Sequence, residues 1–249
     1  MRIVHVNYSD NSGGAARAAY RIHNSLLKNG VKSKMLVNKI RSNDHTVEGP
    51  NNKIEKVLNE LRPRLINHTL IKMLKTENKI IHSPSVFPSR NIRYINNSNV
   101  DIVHLHWIQN EMLSISDISK IKKPIVWTLH DMWAFCGAEH YTNDNRWREG
   151  YEKDNRPNYE SGFDLNLWTW KRKKKHWKTA IQIVTPSKWL SNCVSESNIM
   201  NSWPVSAIPN PIDTFYWKPL DKNSSREKLN LPKDVQLILF GALGADEDP

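Results

Sequence analysis

The chain has 249 residues, 39% hydrophobic and 24% charged, with a net charge of +11. Ten Trp, seven Tyr and five Phe supply a core and exclude a disordered chain, and only two cysteines exclude a disulfide scaffold. The mean hydropathy of −0.63, with no run of about 18 apolar residues, excludes a spanning helix.

The chain opens on Arg2–Val6, a short strand rich in β-branched residues. His5 breaks the apolar run, so it is too short for a secretory leader, and the expectation is a cytoplasmic protein. Gly13-Gly14 opens a helix to about Lys28, with Ala15, Ala18, Ala19, Ile22 and Leu26 on one face. Asn29-Gly30 stops it. Lys34–Val37 reads as a second strand, and 39–52 as polar loop. Residues 53–76 look helical, with Pro63 inside, and 77–90 irregular. Asp101–Trp107 is a central strand, Ile115–Ile121 lies in a helix, and Pro124–Leu129 is another buried strand. Residues 131–165 form a polar and aromatic segment, long enough to be functional or mobile. A basic helix follows at about 165–179. Then come a strand at Ile181–Thr185, a helix over 188–195 starting at Ser187, a strand at Val205–Ile208, a short helix at Arg226–Leu229 and a strand at Val235–Phe240. Strands alternating with helices imply an α/β fold with a parallel sheet, whose ligands bind beyond the carboxyl ends of the strands.

Charge is uneven along the chain. Residues 221–249 hold four Lys/Arg and six Asp/Glu, which leaves +13 on the first 220. The densest stretch is Lys171-Arg172-Lys173-Lys174-Lys175, flanked by Trp170 and Trp177. One reading is a solvated helix face. The other is a basic, Trp-bearing helix at an anionic membrane surface, involving all seven of these residues. No nucleic-acid recognition motif accompanies the charge.

Candidate chemistry clusters after the strands. Gly13-Gly14 lets backbone N–H groups approach an anion at a helix N-terminus, and Arg17 lies about one turn in. His130 closes a buried strand, where an imidazole can bond a substrate hydroxyl or move a proton, and Asp131 beside it can hold an acceptor hydroxyl. His104 and His106 share a strand face, as two ligands of one ion would. Position 108 is Ile, and Cys136, Glu139 and His140 add no recognised zinc spacing, so no metal is expected.

Five ordered blocks resemble glycosyltransferase family 4, the retaining GT-B enzymes, in its bacterial polysaccharide branch. They are Ser12-Gly-Gly-Ala-Ala-Arg17, Asp101-Ile-Val-His-Leu-His-Trp107, Pro124-Ile-Val-Trp-Thr-Leu-His-Asp-Met-Trp133, Val184-Thr-Pro-Ser-Lys-Trp189 and Ile208-Pro-Asn-Pro-Ile-Asp213. The resemblance implies a Rossmann-like parallel sheet with helices on both faces, the N-terminal half of a GT-B fold. It implies a nucleotide-sugar co-substrate, no other cofactor and no metal. Gly13, Gly14 and Arg17 would then face the donor diphosphate, His130 would contact the donor sugar as the catalytic-centre residue, and Ser187 and Asn210 would line the cleft. His106 and Asp131 would stand on the acceptor side.

Where many relatives carry Thr-Gly-Gly-Cys-His-Tyr, this chain has Cys136-Gly-Ala-Glu-His-Tyr141. The family's donor-binding Glu-x7-Glu element has no place before Pro249. The expected organisation is an acceptor-side domain over 1–213, a linker over 214–234, and the first strand of a truncated second domain over 235–249. The expected activity is sugar transfer from a nucleotide-sugar to a lipid-linked saccharide in bacterial surface-polysaccharide assembly, at the inner face of the cytoplasmic membrane. The alternatives are an inactive fragment of such an enzyme and a non-catalytic membrane-binding module.

Overall fold

Strand and helix alternate from the first residues of the chain, in a computed structural model that describes residues 1–50 and 52–239. Strand β1 (Arg2–Ser9) leads into helix α1 (Gly14–Lys28), then β2 (Lys32–Lys39) and the two-residue β3 (Val47–Glu48). Helix α2 (Lys53–Ile66) carries Pro63 without breaking and passes into a π-helical turn (Asn67–Ile71). Next come β4 (Leu74–Thr76), α3 (Asn91–Asn97), β5 (Ile102–Leu105), α4 (Ile115–Ile118) and β6 (Ile125–Thr128). The chain continues through α5 (Arg146–Glu149), β7 (Glu160–Gly162), α6 (Leu165–His176), β8 (Gln182–Thr185), α7 (Lys188–Glu196), β9 (Val205–Ala207) and α8 (Lys222–Lys228).

Seven strands form one sheet in the order β3-β2-β1-β5-β6-β8-β9, and every pairing is parallel. This is the expected Rossmann-like α/β sheet. β4 and β7 make a separate antiparallel pair. Met1–Pro211 form one compact unit, and the described residues from Ile212 onward belong to another. The strand expected at 235–240 is not there in residues 235–239. Residues 240–249 lie outside the described residues.

Alternation along the strands gives the sheet two unlike faces. Val4, Val6, Val103, Leu105, Trp127 and Ile183 enter the main apolar core. On the other face His5 pairs in register with His104, and α1 lies nearby, with His23 packed edge-on to His5. The face of α1 turned inward carries Ala16, Ala18, Ala19 and His23, while Ile22 and Leu26 are half-buried.

The segment 131–165 is not a mobile loop. Residues 131–140 are all buried. Arg146 is buried between Asp164 (2.7 Å) and Glu160 (3.5 Å) and stacks its guanidinium on Tyr151. Tyr151 donates its hydroxyl to Glu139, and Trp133 Nε1 donates to Ser83 O at 2.7 Å. Burial of such aromatic side chains contributes about 1.5–3 kcal/mol each. That makes this stretch part of the core.

Candidate functional site

A parallel sheet delivers the carboxyl ends of its strands to one edge, and the turns leaving that edge carry the chemistry. Between β1 and α1, Asp10 is buried and accepts from the backbone N–H groups of Arg41 (2.8 Å) and Ser42 (2.7 Å). This fixes the turn to the end of β2. Gly13 follows with φ of 89° and ψ of 174°, a conformation essentially reserved for glycine. No side chain caps α1, and a Cβ on Gly13 or Gly14 would meet nothing within 4 Å. The amino end of a 15-residue helix thus stands open, with its N–H groups and the positive end of its dipole accessible to an anion. Arg17 is exposed in the same region.

β5 ends at Leu105, and His106 follows directly. Its backbone N–H bonds Val6 O at 3.0 Å, while Trp107 N bonds Asn7 Oδ1 at 2.8 Å. β6 ends at Thr128, and His130 follows two residues on. A chain of imidazoles connects these turns. His5 Nδ1 lies 3.0 Å from His106 Nε2, and His106 Nδ1 lies 3.3 Å from His130 Nε2. His104 Nε2 lies 2.8 Å from Thr128 Oγ1. Burial pushes all four histidines down, helped at His5, His104 and His106 by repulsion from neighbouring imidazoles. His104 falls to about 4. His130 also falls to about 4 through burial, although Asp131 pulls the other way. The cluster is therefore neutral near pH 7. Nitrogens of His5, His104 and His106 lie within 4.8 Å of one another, close enough to share an ion. The ring contacts with each other and with Thr128 give them partners of their own.

Asp131 is nearly buried. It accepts from Trp107 Nε1 (3.0 Å) and Trp133 N (3.0 Å), and it meets His140 Nδ1 at 2.6 Å. His140 in turn reaches Ser83 Oγ at 2.9 Å. Asp131 and His106 were expected to meet an acceptor. Both are buried, and their polar atoms hydrogen-bond inside the protein, where each positions its neighbours. Ser187 caps α7, accepting from Leu190 N at 3.2 Å. Trp189 is exposed in the first turn of the same helix, and Asn210 is exposed beyond β9. Gly13, Gly14, Arg17, His130, Ser187 and Asn210 thus all follow strand ends on one edge. The sequence reading gave His5, His140 and Ser83 no role at this edge. A histidine inside an apolar run was the one signal that pointed to His5.

The helix expected at a membrane surface turns only part of the set assigned to that role outward. Trp170, Lys173 and Trp177 of α6 and its end are buried. Lys173 Nζ donates to the carbonyls of Trp133, Cys136 (3.1 Å) and Gly137 (2.6 Å), and it sits 3.9 Å from the centre of the Trp133 ring. Arg172 is half-buried and donates to Pro84 O (2.6 Å) and Ser85 O (3.0 Å). Only Lys171, Lys174 and Lys175 are exposed. Among the described residues no helix is long and apolar enough to cross a membrane.

A comparison of the sequence with curated proteins found no match. Among solved structures the chain is similar to Anabaena Alr3699/HepE, crystallised in complex with UDP, with a TM-score of 0.41 and 10% identity. The alignment covers 92% of this chain and 50% of that one, so the chain spans about half the length of that structure. A family model described as Glycosyltransferase Family 4 matches residues 12–215, most of the chain. The chain belongs to glycosyltransferase family 4.

Proposed function

We propose that the chain supplies the acceptor-side domain of an enzyme that moves a sugar from a nucleotide-sugar to a lipid-linked saccharide, with retention of configuration, in surface-polysaccharide assembly. Residues 1–213 form this domain in our reading, which works at the inner face of the cytoplasmic membrane. The observation that carries it is the pairing, on one sheet edge, of an open α1 amino end with a neutral, internally tethered His130.

In this reading the donor diphosphate lies at Gly13-Gly14. The N–H groups of α1 and the Arg17 guanidinium take up the negative charge that grows as the sugar–phosphate bond breaks. His130, neutral at pH 7, hydrogen-bonds a hydroxyl of the donor sugar and orients it. Ser187 and Asn210 border the cleft, and the exposed Trp189 offers a ring face for a sugar.

The test is transfer from a panel of UDP- and GDP-sugars to a polyprenyl-diphosphate-linked saccharide, using protein purified from its native locus. Product is expected, and His130→Ala should lower its rate by about 10²-fold. Folded protein that transfers from no donor overturns the proposal.

A further inference from the structure

α2 is inside out. A surface helix normally turns its apolar stripe to the core. Here Ile54, Val57, Leu61 and Leu65 stand at i, i+3, i+7 and i+11, one stripe of the helix, and they are 68%, 54%, 50% and 53% exposed. The inward side instead carries Ile66 with the half-buried Glu55, Leu58, Asn59 and Arg62. Four large aliphatic side chains in a row do not stay in water without cause.

Charge shows what covers the stripe. Between residues 53 and 75 the chain has six Lys/Arg and two Glu. The exposed charges there are Lys53, Lys56, Arg64, Lys72 and Lys75 against Glu60 alone. A stripe of Ile, Val and Leu bordered by exposed cations suits the headgroup–acyl boundary of an anionic bilayer. The place also fits. An open groove of about 390 Å³ lies between Lys56, Asn59 and Glu60 of α2 and Tyr8, Lys39 and Arg41 at the ends of β1 and β2. The stripe therefore belongs to a helix that borders the edge of the sheet where the candidate site lies.

We propose that the outward face of α2 docks on an anionic lipid bilayer, with Ile54, Val57, Leu61 and Leu65 entering the interface and Lys53, Lys56 and Arg64 meeting lipid phosphates. This deepens the reading of a lipid-linked acceptor and rests on it for its purpose, but its test needs neither donor nor acceptor.

Co-sedimentation with vesicles of phosphatidylcholine and phosphatidylglycerol (3:1) should recover the chain. Pure phosphatidylcholine should recover at least tenfold less, and 0.5 M NaCl should release it. The substitutions Ile54→Ser, Val57→Ser, Leu61→Ser and Leu65→Ser together should weaken binding at least tenfold, with the far-ultraviolet circular dichroism unchanged. Lys171→Gln, Lys174→Gln and Lys175→Gln on α6 should leave binding within twofold. The proposal is overturned if wild-type protein stays in the supernatant, or if the α2 variant binds equally well. It is also overturned if the wild-type chain self-associates in sedimentation velocity and the α2 substitutions abolish that without affecting vesicle binding, which would give the stripe to a second copy. Transfer to a soluble acceptor analogue by the α2 variant, at the wild-type rate, separates loss of docking from loss of the enzyme.

Discussion

His106 Nδ1 lies 3.3 Å from His130 Nε2, so the residue at the candidate reaction centre takes its tautomer from a buried neighbour. The direction can be worked out from the far end of the chain of rings. His5 Nε2 is buried and has no hydrogen-bond partner. An orphaned buried N–H is rarer and costlier than an orphaned lone pair. His5 therefore carries its proton on Nδ1 and donates to His106 Nε2. His106, neutral, keeps its own proton on Nδ1 and donates to His130 Nε2. The His130 proton is then on Nδ1. Long-range ¹⁵N–¹H correlation of histidine-labelled protein at pH 7.5 should show His130 as the Nδ1–H form. His106→Phe should move its proton toward Nε2, the form favoured by free histidine side chains. An Nε2–H form in the wild type refutes the relay.

The same burial makes the fold acid-sensitive. His104 and His130 titrate near 4 in the folded protein, and His5 and His106 are also pushed down. Their unfolded values are near 6.5. Between those limits the unfolded chain binds protons that the folded chain refuses, so stability falls as pH drops from 6.5 toward 4. Each such histidine contributes a slope of about 1.4 kcal/mol per pH unit within its window. Glu160, raised to about 7 by burial and by nearby Glu139, acts in the opposite sense between 4.5 and 7, as do Glu111 and Glu139, both raised by burial, but these three carboxylates stand against seven histidines held down by burial. Urea titrations at pH 7, 6 and 5 should show the loss. His104→Val should flatten the slope by about one proton, and an unchanged slope would assign the loss to other groups.

The α/β sheet was legible because apolar strands and capped helices alternate, and because Gly13-Gly14, His130 and Ser187 all follow strands. What the sequence hid was direction and company. Residues 53–76 read as helical and the basic helix as Trp-bearing, but periodicity does not say which side of either faces the core. In α6 the answer places Trp170 and Trp177 inside. In α2 it leaves Ile54 and Leu61 outside. Adjacency suggested that Asp131 was available to substrate. Its three partners come from Trp107, Trp133 and His140, and the last of these is held by Ser83, far upstream. His104 and His106 drew attention as metal ligands. Their link to His5 depends on a pairing of β1 with β5 that local sequence does not reveal.

Lys173 of the basic run works inside the protein. Its ammonium links three carbonyls within the turn at Trp133–Gly137. Burial draws it down to about 7, against the pull of Cys136 and Glu139. Lys173→Met keeps the length and the apolar stem but leaves three buried carbonyls without their donor. The expected loss is about 3 kcal/mol in chemical denaturation. Vesicle binding by the folded fraction should not change. A loss below about 0.5 kcal/mol would mean that the pocket rehydrates.

The two glycines of the α1 turn should respond in opposite ways. Gly13 needs its positive φ, so Gly13→Ala forces strain of about 1–3 kcal/mol and should lower thermal stability. Gly14 has no such requirement, and an added Cβ there meets no atom within 4 Å. Alanine is a better helix residue than glycine by up to about 1 kcal/mol, so Gly14→Ala should hold or raise stability. Yet the empty space it fills is the approach to the α1 N–H groups. If a diphosphate binds there, Gly14→Ala should weaken UDP- or GDP-sugar binding about tenfold in calorimetry while the melting temperature does not fall. That combination, a fold no worse and a ligand lost, separates a binding turn from a structural one. Equal affinity in the two proteins would take the donor diphosphate away from this turn.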